Sequence, residues 1–209
     1  MANAIRMKLH KPQGEYDPAQ SKFFGDPVIP AWMKEEIEDD EVFLAQIKLS
    51  DIAHLDTENI LPHEGWLYFF FRAKDGSAWT RKEAVVRYSK DEPSVVIDKF
   101  NEASPIPEGL NETWLIDFEI AEEANGLGIK LLGEPFDWNY ADPAPQLLLQ
   151  YDPLDSPSEF LSEMDGVVYF FAGKDRRHRG DILSWRIELY VDGKLTDAKQ
   201  SYLWQDPVK

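Results

Sequence analysis

Read for apolar and polar positions alone, the chain breaks into short strand-length segments. Ile5-Arg6-Met7-Lys8-Leu9 alternates with period two and predicts a half-buried strand. Val42 to Leu49 and Gln146 to Tyr151 are short apolar runs bounded by polar or Pro-containing stretches, as buried strands should be. Gly65 and Gly166 each precede a run, Trp66 to Phe70 and Val167 to Phe171, that is apolar on both faces. Such strands must be covered from both sides. Ala84 to Tyr88 and Thr113 to Ile120 predict two further strands, and Trp185 to Val191 and Leu195 to Leu203 flank the hairpin signal Asp192-Gly193. Short helices are predicted over Pro93 to Phe100 and Asp155 to Met164. In the latter, Ser156 can cap, Pro157 suits the first turn, and Phe160, Leu161 and Met164 share a face. Residues 101–111, rich in Pro, Gly and Asn, read as a loop at a joint between halves.

Three of these signals recur in order. Lys22-Phe23-Phe24-Gly25-Asp26-Pro27 is echoed by Lys130-Leu131-Leu132-Gly133-Glu134-Pro135 at an offset of 108 residues. Gln46 in its apolar run is echoed by Gln150 at an offset of 104, and Gly65-Trp66-Leu67-Tyr68-Phe69-Phe70 by Gly166-Val167-Val168-Tyr169-Phe170-Phe171 at 101. The expected fold is therefore α+β and mostly β. A β-rich half is duplicated, with repeats over about 21–89 and 129–191, and packed into one compact domain over 1–209.

Composition changes this picture little. Aromatics at 13% suit half-buried pleated surfaces and exclude a disordered chain. The absence of cysteine excludes disulfides and thiolate metal sites. No run approaches the ~18 apolar residues that span a bilayer, and the first residues show no apolar signal-peptide core, so a cytoplasmic protein with no membrane partner is expected. Charge matters more. A net charge of −17 repels nucleic-acid phosphate and attracts a basic protein.

Candidate chemistry is sparse. Glu35, Glu36, Glu38, Asp39, Asp40 and Glu41 form a nearly continuous acidic run, read as a solvated loop or a docking surface for a basic partner. It lacks the spacing of a calcium loop, so no metal site is assigned. Asp117, Glu119, Glu122 and Glu123 form a second patch without a distinctive pair. His10, His54, His63 and His178 are scattered, and His63 reads as an exposed turn residue. No Gly-x-Ser-x-Gly, Walker sequence or complete dinucleotide fingerprint occurs, so no catalytic residue and no cofactor are assigned. Arg176, Arg177 and Arg179 make one basic cluster, a solvated loop or an anion contact. Trp66, Trp79, Trp114, Trp138 and Trp185 read as core, whereas Trp32 and Trp204, beside turn-rich segments, are candidates for exposed contact.

The stretches SKFFGDPVIP, FLAQIKLSDI, LPHEGWLYFFF, KLLGEPF, LLLQYD and DGVVYFF together resemble the YwqG-like family, a bacterial domain of unknown function, from about Ser21 to Trp185. The resemblance implies a compact, mostly β cytoplasmic fold without defined catalytic residues, and a toxin-neutralising role as one family-level function. After Gly25 the chain departs from the family pattern: Pro30-Ala31-Trp32-Met33 stands where a Trp-Pro is expected, so partner choice is not carried over from that region. Three readings stay open, the third a structural or accessory protein whose fold is all that the residues specify. The first is a non-enzymatic module that binds a basic protein, with Trp32 and the acidic run as its surface. The second is a small-ligand binder or enzyme with its site between the halves, for which the matched Gln46 and Gln150, with Tyr68 and Tyr169, are the residues to inspect.

Overall fold

The computed structural model describes residues 3–72, 84–102, 109–136, 138, 146–159, 167–171, 184–187, 190–191 and 194–195. The apolar runs become strands where period and length place them. In chain order these are β1 (Ile5–His10), β2 (Lys22–Phe23), β3 (Val28–Ile29), β4 (Glu41–Lys48), β5 (Trp66–Arg72), β6 (Ala84–Ser89) and β7 (Val95–Val96). They continue with β8 (Trp114–Ile120), β9 (Lys130–Leu131), β10 (Leu147–Tyr151), β11 (Val167–Phe171), β12 (Ser184–Ile187), β13 (Tyr190–Val191) and β14 (Lys194–Leu195). Among the described residues the helical elements are a 3-10 turn, Ala31–Glu35, and one helical turn, α1 (Leu49–Ile52). The protein is mostly β.

Ten strands form one sheet in the order β12-β11-β10-β9-β1-β8-β2-β4-β5-β6. At its centre β1 and β8 run antiparallel, with Ile5 opposite Ile120 and His10 opposite Leu115. Two-residue strands connect this pair to the outer sheet. β2 lies between β8 and β4, and β9 lies between β1 and β10. The pairings are antiparallel except at one edge, where β12 runs parallel to β11.

The sheet curls around a shared core, because strands far apart in its order touch. The Phe69 ring of β5 meets the Phe170 ring of β11 edge-on, with centroids 5.5 Å apart, and Phe23 stacks on Tyr151 at 6.2 Å. Alternation along β5 sends Leu67, Phe69 and Phe71 into this central core. Trp66, Tyr68 and Phe70 go into a second cluster with Ile29, Met33 and Phe43. β11 does the same, with Val168 and Phe170 inward and Val167, Tyr169 and Phe171 in a third cluster against Trp138. The two-sided apolar runs are thus covered on both faces, as their patterning requires. Burying each such Phe contributes about 1.5–3 kcal/mol.

Two expectations change. Pro93 to Phe100 is not a helix: Val95–Val96 pairs with Val28–Ile29, held by Ser94 N donating to Ile29 O (3.0 Å) and Ile97 N to Pro27 O (3.1 Å). Its consecutive β-branched residues fit the extended edge offered by β3 better than a helical turn. In Asp155 to Met164, residues 155–158 are bends, residue 159 is irregular, and the rest lies outside the described residues. Ser156 Oγ accepts the N–H of Ser158 at 3.2 Å, closing a local turn instead of capping a helix. β13 and β14 pair as a hairpin around residues 192–193, which are outside the described set.

Gly25 and Gly133 hold backbone that no other residue type fits. Their φ values are +68° and +72°, each after a left-handed residue, Phe24 at +55° and Leu132 at +57°. A Cβ on Gly25 would lie 2.2 Å from Thr113 Oγ1, just before β8, and one on Gly133 would lie 2.6 Å from the Ala4 Cβ, just before β1. Each glycine lets a central strand pass. Gly133→Ala should therefore lower stability by about 2 kcal/mol or more, read as a fall in denaturant midpoint at unchanged m. Gly14→Ala, with φ +91° and nothing within 4 Å of the new Cβ, should lose only about 1 kcal/mol. Equal losses would contradict the close-approach account.

Candidate functional site

The residues matched along the sequence form two polar stations, one beside β2 and one beside β9. Lys22 sits opposite Gln46, and Lys130 opposite Gln150. Gln46, 0% exposed, donates from Nε2 to Pro18 O (3.2 Å) and Gln20 O (2.9 Å), and its Oε1 accepts Val28 N (2.9 Å). Gln150, also 0% exposed, donates to Gly126 O (3.1 Å) and Gly128 O (2.9 Å), and accepts Phe136 N (2.9 Å). Each amide is engaged with backbone and brackets the irregular segments on both sides of a two-residue strand. Tyr169 completes the second station by donating to Phe136 O at 2.6 Å, whereas the buried Tyr68 hydroxyl has no partner among the described residues.

The lysines complete the brackets. Lys130 Nζ donates to three carbonyls, Ala124 O (2.9 Å), Gly126 O (2.7 Å) and Glu134 O (2.7 Å). Lys22 Nζ donates to Asp26 O at 2.6 Å. Burial lowers both amines from 10.5 to about 8. The charges of Asp26 and Asp17 oppose this at Lys22, and that of Glu134 opposes it at Lys130.

The acidic run is split by the start of β4. Trp32 lies on the 3-10 turn, 38% exposed, with Nε1 donating to Asp91 Oδ2 at 3.0 Å. Glu35, Glu36, Glu38 and Asp39 are exposed and Asp40 is half-buried. Glu41 instead turns inward, where its carboxylate takes Arg87 in a two-point contact, Nη1 to Oε2 at 2.7 Å and Nη2 to Oε1 at 2.8 Å. Arg87 Nη2 also donates to Glu36 O at 2.8 Å, and the guanidinium lies 5.0 Å over the Phe70 ring. Glu41 is therefore an internal counter-ion and not part of the solvated run. Arg87, inside the strand predicted over Ala84 to Tyr88, carried no signal of this role, because its partner lies 46 residues away.

The remaining candidates scatter. In the second acidic patch Glu119 bonds Lys8 Nζ at 2.7 Å, and Asp117 lies 3.6 Å from His10 Nε2. His63 is exposed, 3.7 Å from the buried carboxylate of Asp56, which itself holds the N–H groups of Ile60 and Leu61. Trp66 is core, and Trp114 is half-buried beneath Lys11 Nζ. Arg176, Arg177 and Arg179, with His178, Trp79 and Trp204, lie outside the described residues, as does the side chain of Trp185. Among the described residues no group of three His, Asp or Glu is placed to hold a metal ion, and no helix is long and apolar enough to cross a membrane.

Arg87→Met should cost about 3–5 kcal/mol, because it strands the Glu41 carboxylate in the core. Adding Glu41→Leu should recover most of that loss in the same denaturation assay, and a double variant as weak as the single would contradict the pairing. The lysines predict a pH profile. Their folded pKa lies below the unfolded value, so between about pH 8 and 10 the unfolded chain binds more protons and stability rises, by up to about 1.4 kcal/mol per pH unit for each lysine. Above pH 10 the trend reverses, since burial holds Tyr68 and Tyr151 neutral in the folded state only. Urea midpoints from pH 7 to 11 test this. Lys130→Met should flatten the rise, and a flat wild-type profile would contradict it.

No curated protein matches the chain. The family described as Domain of unknown function (DUF1963) matches residues 21–170, which include Lys22, Gln46, Lys130 and Gln150 but not the central strand β1. The chain belongs to that DUF1963 family.

Proposed function

We propose that this protein is a non-enzymatic binding module that takes a basic protein on the exposed acidic face around Trp32. One observation carries the reading. Arg87 grips both Glu41 and the Glu36 carbonyl, so the exposed carboxylates of Glu35, Glu36, Glu38 and Asp39 stand on an anchored segment. Exposed Asp91 and Glu92 extend the same face, and Asp91 fixes the edge of the Trp32 indole. A half-exposed aromatic ringed by like charges suits an anchor-and-steering surface, in which the ring supplies affinity and the carboxylates supply encounter rate and sign selection. The YwqG-like resemblance adds the kind of partner, a basic toxin that this protein neutralises.

The matched stations support descent from a duplicated half. Under an offset of about 108 residues, the Gln46 acceptors Pro18 and Gln20 fall on the Gln150 acceptors Gly126 and Gly128. The left-handed pairs Phe24-Gly25 and Leu132-Gly133 coincide as well. In this reading β1 and β8 are equivalent first strands that have exchanged places. β1 pairs with β9 of the second half, and β8 with β2 of the first.

A pull-down from host lysate at about 50 and 300 mM salt tests the binding role. The wild-type protein should retain a basic species at low salt and release it at high salt. A variant with Glu35→Gln, Glu36→Gln, Glu38→Gln and Asp39→Asn, or with Trp32→Ala, should lose it at both. Equal retention by wild type and variants, or binding indifferent to salt, would overturn the proposal.

A further inference from the structure

We propose that the pocket beside Lys22 binds a small organic monocarboxylate, whose oxygens take the hydrogen bonds that the Lys22 ammonium does not make within the protein. The comparison with Lys130 carries this. An ammonium has three donors. Lys130 places all three on carbonyls, those of Ala124, Gly126 and Glu134. At Lys22 only the counterpart of the last is used, Asp26 O at 2.6 Å. The positions corresponding to Ala124 and Gly126 at the same offset of 108 are Tyr16 and Pro18. Gly126 O accepts both Lys130 and the Gln150 amide, whereas Pro18 O accepts only the Gln46 amide, and two Lys22 donors are left without a protein acceptor among the described residues. Lys22 is 1% exposed. A buried ammonium lacking two hydrogen bonds is costly, and the fold tolerates it only where something else supplies acceptors.

Space for that ligand is present at the same place. Lys22 forms part of the wall of a pocket of about 440 Å³, within the range of small-ligand sites. The pocket is lined by Tyr16, Pro18 and Val96 together with Asn111 and Thr113 of the segment entering β8. Tyr16 and Val96, 38% and 50% exposed, add apolar surface at the mouth of otherwise polar walls that include Lys11, Asn111, Glu112 and Thr113. Lys11 at the rim is already paired with Glu112, and Asp26 Oδ1 accepts the Phe100 N–H. The lining thus offers one ammonium with two unused donors, beside the carboxylates of Asp26 and Glu112 and in the field of Asp17. That balance disfavours a dianion such as phosphate and suits a single carboxylate with an apolar body. Desolvation places Lys22 near 8, so it is mostly charged at neutral pH and would be raised by a bound anion.

NMR of the lysine ε-methylene signals, with added butyrate, benzoate, butyramide or inorganic phosphate, tests the assignment. Butyrate or benzoate should shift the Lys22 signal saturably and raise its titration midpoint by about one unit, the direction expected for a new anionic partner. Butyramide and phosphate should leave that midpoint in place. Lys22→Met should abolish binding. Because that buried position also supports β2, the deciding variant is Val96→Trp at the exposed mouth, which should weaken carboxylate binding at least tenfold with an unchanged thermal midpoint. Failure of either carboxylate to saturate, an equal response to phosphate or butyramide, or unaltered binding by Val96→Trp would each overturn the proposal.

Discussion

The ten-stranded sheet depends on two links that are each only two residues long. β2 joins the central β1–β8 pair to the β4–β5–β6 meander, and β9 joins it to β10, β11 and β12. Two residues of ladder cannot hold a sheet together, and the chain on either side of each link is irregular and only partly buried. Its backbone groups must be satisfied by something other than strand pairing. Gln46 with Lys22, and Gln150 with Lys130, meet that demand from inside the sheet. The long meanders can then curl until Phe69 and Phe170 meet across the core.

This solution puts cations and amides in a place where hydrophobic packing alone would be cheaper to build, and its cost appears in the lowered amine pKa values. The second station closes completely. The first leaves the Tyr68 hydroxyl and two Lys22 donors without protein partners among the described residues. The two stations therefore share geometry and differ in saturation. A device that is purely structural on one side has unfilled valence on the other, and that side carries the pocket.

Arg87 and Glu41 apply the same logic to the surface. The strand that begins at Glu41 needs its first side chain inside, and Arg87 makes an acid acceptable there. The exposed carboxylates before it then inherit a fixed position from a buried pair. Surface charge and core polarity are linked through one guanidinium.

Much of this was legible in the residues. Period-two alternation located β1, continuous apolar runs located β4, β5, β10 and β11, and Gly25 and Gly133 announced backbone that only glycine tolerates. The echo of Gln46 in Gln150 marked a pair of equivalent positions, because a lone amide in an apolar run needs fixed partners. Local pattern failed where the deciding contact was distant. Val95–Val96 became a strand because β3 offered an edge, and Glu41 left the acidic run because Arg87 lay behind it. Hydrophobic periodicity is written in neighbouring residues, so the sequence by itself determined which segments are strands and which faces they bury. Which carbonyl a buried ammonium reaches depends on how segments far apart in the chain are brought together. Only the tertiary structure decided that Lys130 is saturated and Lys22 is not.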